Sequence, residues 1–189
     1  MALVRPEEPR DRDDSLQVER LAFGSDEEPG IVEAVRDEEE SFALVAEEDG
    51  AVVGHVQFSR AWIGETALLA LGPVGVVPDR QGRGIGSELI LAGLEEARSR
   101  GEAAVILLGD PAFYPRFGFE PGSAFGLANP FAGVRPDGFE IAEEDFMVAR
   151  LGGGSTRRRG PLASGVRRIG CWALERRLDS KVNADVAQW

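Results

Sequence analysis

The stretch Val76–Ile90, "VVPDRQGRGIGSELI", passes from strand-type residues through a proline into three alternating glycines and then into an amphipathic run. A glycine in a helix costs roughly 0.5–1 kcal/mol relative to Ala. Three of them where a strand hands over to a helix therefore point to a backbone that has to stay bare. Upstream, "ALLALGPVGVVP" (67–78) is too continuously apolar to be half-solvated and reads as a central strand. Its Gly72-Pro73 cannot complete a ladder and predicts an edge or a bulge. Downstream, Ile85, Leu89, Ile90, Gly93, Leu94 and Ala97 recur at three- and four-residue steps, and "RSRG" ends the run with basic residues and a glycine. "EAAVILLGD" (102–110) follows as a buried strand. Strand, helix and strand at this spacing make a βαβ unit with parallel strands.

Outward from this unit, "LVRPEE" reads as a short opening strand. "RDDSLQVERLAFG" reads as a helix capped by Asp14 or Ser15, with Leu16, Val18, Leu21 and Ala22 as its apolar stripe. "IVEAVRDEEE" reads as a second, short helix. Two β-type runs, Phe42–Ala46 and Ala51–Trp62, flank Glu48-Asp49-Gly50, and Asp-Gly between apolar runs signals a hairpin. "PAFYPRFGFEPG" holds an aromatic turn and the start of a strand, and "DFMVARL" (145–151) reads as the last strand of the body. Residues 122–140, rich in Gly and Pro, have no assignable element. Beyond Leu151, "GGGSTRRRG" reads as a linker and "CWALERRLDSKV" as a short helix.

A chain of 189 residues fits one domain with a proper core, here placed at 1–151 with a basic tail over 152–189. The tail carries eight basic and three acidic side chains, a net +5, so the body holds −17 of the total −12. So acidic a body repels nucleic acid and suits cationic or amine partners. Neither a membrane span nor a secretory leader is legible. One cysteine, Cys171, excludes an internal disulfide and fits a reducing compartment, the cytoplasm by default. The tail keeps three readings: a crossing segment in a homodimer, a disordered appendage, or the consequence of where the reading frame ends.

Three phosphate-binding designs place glycines between strand and helix. A P-loop needs a lysine directly after its last glycine, and the one lysine of the chain is Lys181. A dinucleotide fingerprint needs a third glycine where Ser87 stands. The third design, [QR]-x-x-G-x-[GA] after V-x-P, is met in full by Val76-Val77-Pro78 and Gln81-Gly82-Arg83-Gly84-Ile85-Gly86. Here the segment resembles the acyl-CoA-binding core of the GCN5-related N-acetyltransferases. Bare amides and the positive end of a helix dipole form an anion site, and Arg80 and Arg83 add positive charge on an acidic body.

The resemblance covers most of 1–151. It implies the α/β fold of that family, a mixed, splayed sheet flanked by helices, with coenzyme A pyrophosphate held by Gln81, Gly82, Arg83, Gly84, Ile85, Gly86 and Ser87. It further implies that the pantetheine arm pairs with the backbone of Val74, Gly75 and Val76. The activity implied is transfer of an acetyl group from acetyl-CoA, without a metal, to a primary amine of a small molecule or peptide, by direct attack in a ternary complex. The compact block "GDPAFYPRFGF" resembles a bacterial subgroup whose members are mostly uncharacterised.

Such transfer needs a neutral amine, a stabilised oxyanion and a proton for the departing thiolate. Family members often supply that proton from a Tyr four residues before a Gly-Phe pair, and Tyr114, the one tyrosine, stands so before Gly118-Phe119. A phenol is protonated at neutral pH and can donate. The general base stays open among His55, Glu65, Asp110 and ordered water. Some relatives carry a Glu on the strand after the CoA helix, but that strand holds no acid before Asp110. Cys171 lies in the tail, which disfavours a covalent cysteine intermediate. The alternative reading is a non-catalytic acyl-CoA sensor or a partner-docking module.

Overall fold

A computed structural model describes residues 2–134, 140–152 and 169–170. In chain order the strands are β1 (Leu3–Pro6), β2 (Phe42–Glu48), β3 (Ala51–Ile63), β4 (Thr66–Val76), β5 (Ala104–Leu108), β6 (Glu120–Pro121), β7 (Gly133–Val134), β8 (Glu140–Ile141) and β9 (Phe146–Arg150). The α-helices are α1 (Arg12–Phe23), α2 (Glu27–Val35) and α3 (Ile85–Ser99). A mixed sheet runs in the order β1-β2-β3-β4-β5-β9-β6, residues 169–170 pair with the end of β3, and β7-β8 form a separate ribbon. The expected α/β fold with a mixed sheet is present. Two compact units divide the described residues, one up to Ser59 with Leu71–Gly93, the other Arg60–Ala70 with those from Leu94 on.

In the first unit, β2 and β3 pair antiparallel with Glu48 opposite Ala51. Their two-residue turn, Asp49 at φ 53° and Gly50 at φ 80°, has the left-handed backbone that matches strand twist. Successive residues of β3 face opposite sides. On one side Gly54 underlies Ile85 and Leu89, while Phe58 lies against Gly93, where an added Cβ would come within 2.3 Å of the ring. On the other side His55 meets Glu19 of α1. The first half of α3 and the helix α1 thus cover opposite faces of β3.

Two expectations about α1 fail. The helix starts at Arg12 after a 3-10 turn over Pro9–Asp11, so Asp14 and Ser15 lie inside it rather than capping it. Asp11, the residue ahead of it, accepts from the Arg5 guanidinium at 2.6 and 2.9 Å and from the Glu8 amide at 2.8 Å. Nor does the whole expected stripe face inward: Val18 is buried, but Leu21 is exposed, and Ser15 and Glu19 are buried beside Val18. The second helix begins four residues earlier than expected, at Glu27, and stops at Val35.

In the second unit, β4 and β5 run parallel with Leu69 opposite Val105 and Ala70 opposite Ile106. The described register between them goes no further, although β4 continues to Val76, and Gly72 at φ 142° interrupts it two residues later. With β3 and β5 as its neighbours β4 is central, so the Gly-Pro irregularity is a break inside the sheet and not an edge. α3 ends in a Schellman closure, Glu102 N–H to Ala97 C=O at 3.0 Å and Gly101 N–H to Arg98 C=O at 2.9 Å, with Gly101 left-handed as the "RSRG" reading requires. β9, the expected last strand of the body, pairs antiparallel with β5. The unassigned Gly- and Pro-rich segment contributes a 3-10 turn over Gly122–Phe125 and the β7-β8 ribbon. Residues 153–160 of the expected linker and the helix expected over Cys171–Val182 lie outside the described residues. Among those that are described, no helix is long and apolar enough to cross a membrane.

Candidate active site

The glycine segment leaves β4 through a 3-10 turn, Pro78–Arg80, and enters α3 at Ile85. Val77 N–H donates to Val53 C=O at 3.0 Å, and the Gln81 side chain donates to Val76 C=O at 3.0 Å. Gln81 thereby ties the loop to the end of the strand it left. Gly82 and Gly84 have φ of 73° and 85°, in the region that side chains disfavour. A Cβ added at either one meets no atom within 4 Å. Their bareness is therefore not demanded by packing inside the chain; the left-handed backbone and the open space beside it remain as the reason. Glu88 N–H bonds to Gly84 C=O at 3.0 Å, so the amides of Ile85, Gly86 and Ser87 precede the helical ladder. Ile85 is buried and anchors the first turn, and Arg83 is exposed beside it. Arg80, expected to add free positive charge, is engaged by Glu48 at 2.7 Å and by Asp79. Bare amides, a helix N-terminus and Arg83 suit a pyrophosphate group.

Val74, Gly75 and Val76 sit in the last part of β4, all buried. Gly75 faces α1: a Cβ there would lie 2.6 Å from Glu19 Oε2 and 3.2 Å from Ala22 Cβ. Glu19 is wholly buried, its Oε1 hydrogen-bonded to His55 Nδ1 at 2.6 Å, and His55 is wholly buried as well. Burial, together with the charge of Glu28, pushes the Glu19 carboxyl well above its ordinary value, against the pull of the Gly75 amide. Burial likewise holds the His55 imidazole down to about 4.

Tyr114 belongs to the second unit. It opens a 3-10 turn, Tyr114–Phe117, that follows β5. Asp110 organises this turn: its carboxylate accepts from the Ala112 amide at 2.7 Å, and its carbonyl accepts from the Phe113 and Tyr114 amides at 2.9 and 3.2 Å. The Tyr114 ring meets Phe113, Phe119 and Phe117 edge-on, at centroid distances of 5.1, 5.7 and 6.3 Å. It also lies against Gly109, where a Cβ would come within 2.2 Å of the ring. The phenol is thus held on all these sides and only 8% exposed. Glu65, the third candidate base, is exposed in the turn between β3 and β4.

The residue overlooked in the sequence is Glu19. Ser15, Val18, Glu19 and Ala22 stand at helical three- and four-residue steps, and this face, not the hydrophobicity of single residues, is the one turned inward. Among the described residues no group of three or more His, Cys, Asp or Glu side chains is arranged to hold a metal.

Known proteins are similar to this chain. The chain is 36% identical over 155 residues to the uncharacterized N-acetyltransferase YhbS of Escherichia coli, covering 79% of this chain and 87% of that protein. It is 38% identical over 118 residues to the uncharacterized N-acetyltransferase YjhQ of the same organism, and spans 65% of its length. The crystal structure of YhbS in complex with CoA superposes with a TM-score of 0.69 at 34% identity, over 80% of this chain and 82% of that one. A GNAT family acetyltransferase from Brucella melitensis, in complex with acetyl-CoA, superposes with a TM-score of 0.67 at 30% identity, over 92% and 98%. Residues 7–119, which take in the glycine loop, α3, β5 and Tyr114, match the profile of the acetyltransferase (GNAT) family, and the chain belongs to that family.

Proposed function

We propose that the chain transfers an acetyl group from acetyl-CoA to a primary amine of a small molecule or peptide, by direct attack and with no metal. The observation that carries this reading is the loop of Gly82 and Gly84, left-handed and open on its Cβ side, ahead of three helix amides free of the ladder. The CoA and acetyl-CoA held by the two similar structures support the same ligand here. When bound, acetyl-CoA supplies the activated acyl group. Gly82–Ser87 and Arg83 hold its phosphates, and the backbone of Val74, Gly75 and Val76 aligns the pantetheine arm. Tyr114, fixed by its aromatic cage, donates the proton that the departing thiolate takes up. Its rigidity supports that role, because a donor already oriented needs no reorganisation as charge develops. The single cysteine of the sequence supports a reducing compartment, the cytoplasm in the simplest reading.

Two measurements on the full chain test this. Calorimetry with CoA and acetyl-CoA gives saturable heat. Thiol release from acetyl-CoA rises on adding an amine from a panel of polyamines, amino acids, aminoglycosides and lysine-bearing peptides. Absence of heat at millimolar ligand overturns the CoA site. Heat without turnover on the whole panel favours instead an acyl-CoA sensor.

A further inference from the structure

Acyl transfer to an ammonium ion needs a group that takes a proton from nitrogen before attack, a role that the reading above gives neither to the glycine loop nor to Tyr114. A chain of ionisable groups in the first unit reaches from β4 toward the edge of β1. Glu19 Oε2 lies against Gly75, and Glu19 Oε1 meets His55 Nδ1 at 2.6 Å. On the far side of the ring, His55 Nε2 is 3.8 Å from Glu7 Oε1, which in turn is 3.6 Å from Arg36 Nη2. Glu19 and His55 are fully buried, and the Glu7 side chain retains 10% exposure. Apart from the Gly75 amide beside Glu19, Glu19 Oε2, His55 Nε2 and Glu7 Oε1 have no hydrogen-bond partner among the described residues. A buried ionisable pair of this kind is a poor means of stabilising a fold, since apolar residues of equal volume commonly do as well or better.

We propose that Glu19, His55 and Glu7 form a proton relay that carries the proton shed by the acceptor amine from the Gly75 end of β4 to Glu7, whose side chain is partly exposed. The relay rests on the preceding reading, in which Gly75 flanks the pantetheine arm. The order of protons follows from the charges around each group. Glu19 faces Glu28 from α2, the Gly75 amide from β4, Ser15 on its own helix and His55 from β3. Burial and Glu28 favour its protonated form. His55 faces Glu19, Glu7 and Arg36, and burial with Arg36 keeps it neutral against the pull of Glu7. A neutral pair joined at 2.6 Å shares one proton, so Glu19 Oε1–H donates to Nδ1 and the ring's own proton sits on Nε2, facing Glu7.

In the step itself the N–H bond of the ammonium breaks and its proton is taken up at Glu19 Oε2. The Oε1 proton passes to His55 Nδ1, and the Nε2 proton passes to the Glu7 carboxylate and then to solvent. The freed electron pair forms the C–N bond, the C–S bond breaks, and the thiolate takes the Tyr114 proton. Tyr114 recovers a proton from the new amide nitrogen. One proton is released per acetyl group moved. Glu19 is the base in this step, and His55 and Glu7 carry its proton onward.

His55 is the one histidine of the chain, so imidazole nitrogen NMR on 15N-histidine-labelled protein reports it without overlap. The expected spectrum near neutral pH is that of a neutral ring protonated on Nε2. Glu19→Gln keeps the shape of the side chain and can still donate an N–H to Nδ1, but it cannot pass a proton on. With acetyl-CoA and spermidine or a lysine-bearing peptide as probe amine, this variant is expected to lose ~10²-fold in kcat. Its KM for acetyl-CoA stays unchanged, and the solvent deuterium effect on kcat disappears. A ring protonated on Nδ1 or doubly protonated in the unaltered chain overturns the relay. So does a folded Glu19→Gln protein with unaltered kcat and pH profile beside an active parent. No turnover by the unaltered chain on any amine overturns acyl transfer itself, and the relay with it.

Discussion

Two residues that look alike as solitary members of their type, Tyr114 and His55, have different surroundings. Tyr114 is packed by three phenylalanines and a glycine, a setting that orients the phenol. Tyr114→Phe keeps that packing and removes the proton. Turnover is therefore expected to fall ~10²-fold or more while CoA affinity by calorimetry is unchanged. Equal loss of both would recast Tyr114 as packing alone. His55 and Glu19 together set a pH dependence of stability whose sign can be worked out. A carboxyl whose pKa is raised keeps its proton in the folded chain after the unfolded chain has released it. Glu19 therefore lowers stability as pH rises above the ordinary carboxyl value of 4.5. An imidazole held down to about 4 stays bare when the unfolded one, near 6.5, takes a proton. His55 therefore lowers stability as pH falls from 6.5 toward 4, and its effect levels off below. Urea midpoints of Glu19→Gln are expected to rise relative to those of the parent as pH rises above 4.5, and parallel curves would remove Glu19 as the cause.

At the scale of elements, the contact of α3 with β3 depends on the absence of a side chain. Gly93 lets the helix settle on Phe58, which stacks on Phe42 at a centroid distance of 4.7 Å. A methyl group at 93 would sit 2.3 Å from the Phe58 ring, so the ring or the helix must shift. Gly93→Ala gains helix propensity by about 1 kcal/mol, but overpacking of this kind costs about 1–3 kcal/mol. The expected outcome is a lower urea midpoint, recovered in part by Phe58→Leu, and the interaction appears as non-additivity of the double variant. A Gly93→Ala protein more stable than its parent would show that the ring yields freely. The glycine was legible as a member of the helix stripe because the 3.6-residue period places it there. Its reason was not, because the ring it accommodates lies 35 residues earlier in the chain.

At the scale of the molecule, a ligand that binds only the folded chain stabilises it by mass action. At a hundredfold excess over Kd this amounts to about 2.7 kcal/mol. A chain of this length gains roughly 2–4 °C in Tm per kcal/mol, so saturating CoA or acetyl-CoA is expected to raise Tm by about 5–10 °C. Gly84→Arg forces a side chain onto a backbone at φ 85° and into the open space beside it. That variant is expected to stay folded, at a cost of about 1–2 kcal/mol for the left-handed residue, and to lose the CoA shift. A full shift in the variant would move the phosphate site away from this loop.

Local chemistry fixed much of this protein before any tertiary contact. The alternating glycines after Val-x-Pro, the period of α3 and the Asp-Gly turn each encode their conformation within a few residues. They identified the family's loop, the βαβ unit and the hairpin. What the sequence could not disclose depends on distance along the chain. Asp11 stands at the start of α1, yet its carboxylate is claimed by Arg5 from β1, and a wholly buried Glu19 replaces the expected Leu21 on the inner face. That burial is tolerable only because His55, 36 residues away, supplies a partner at 2.6 Å. Which polar groups go inside is decided by what awaits them there, and only the assembled fold brings those groups together.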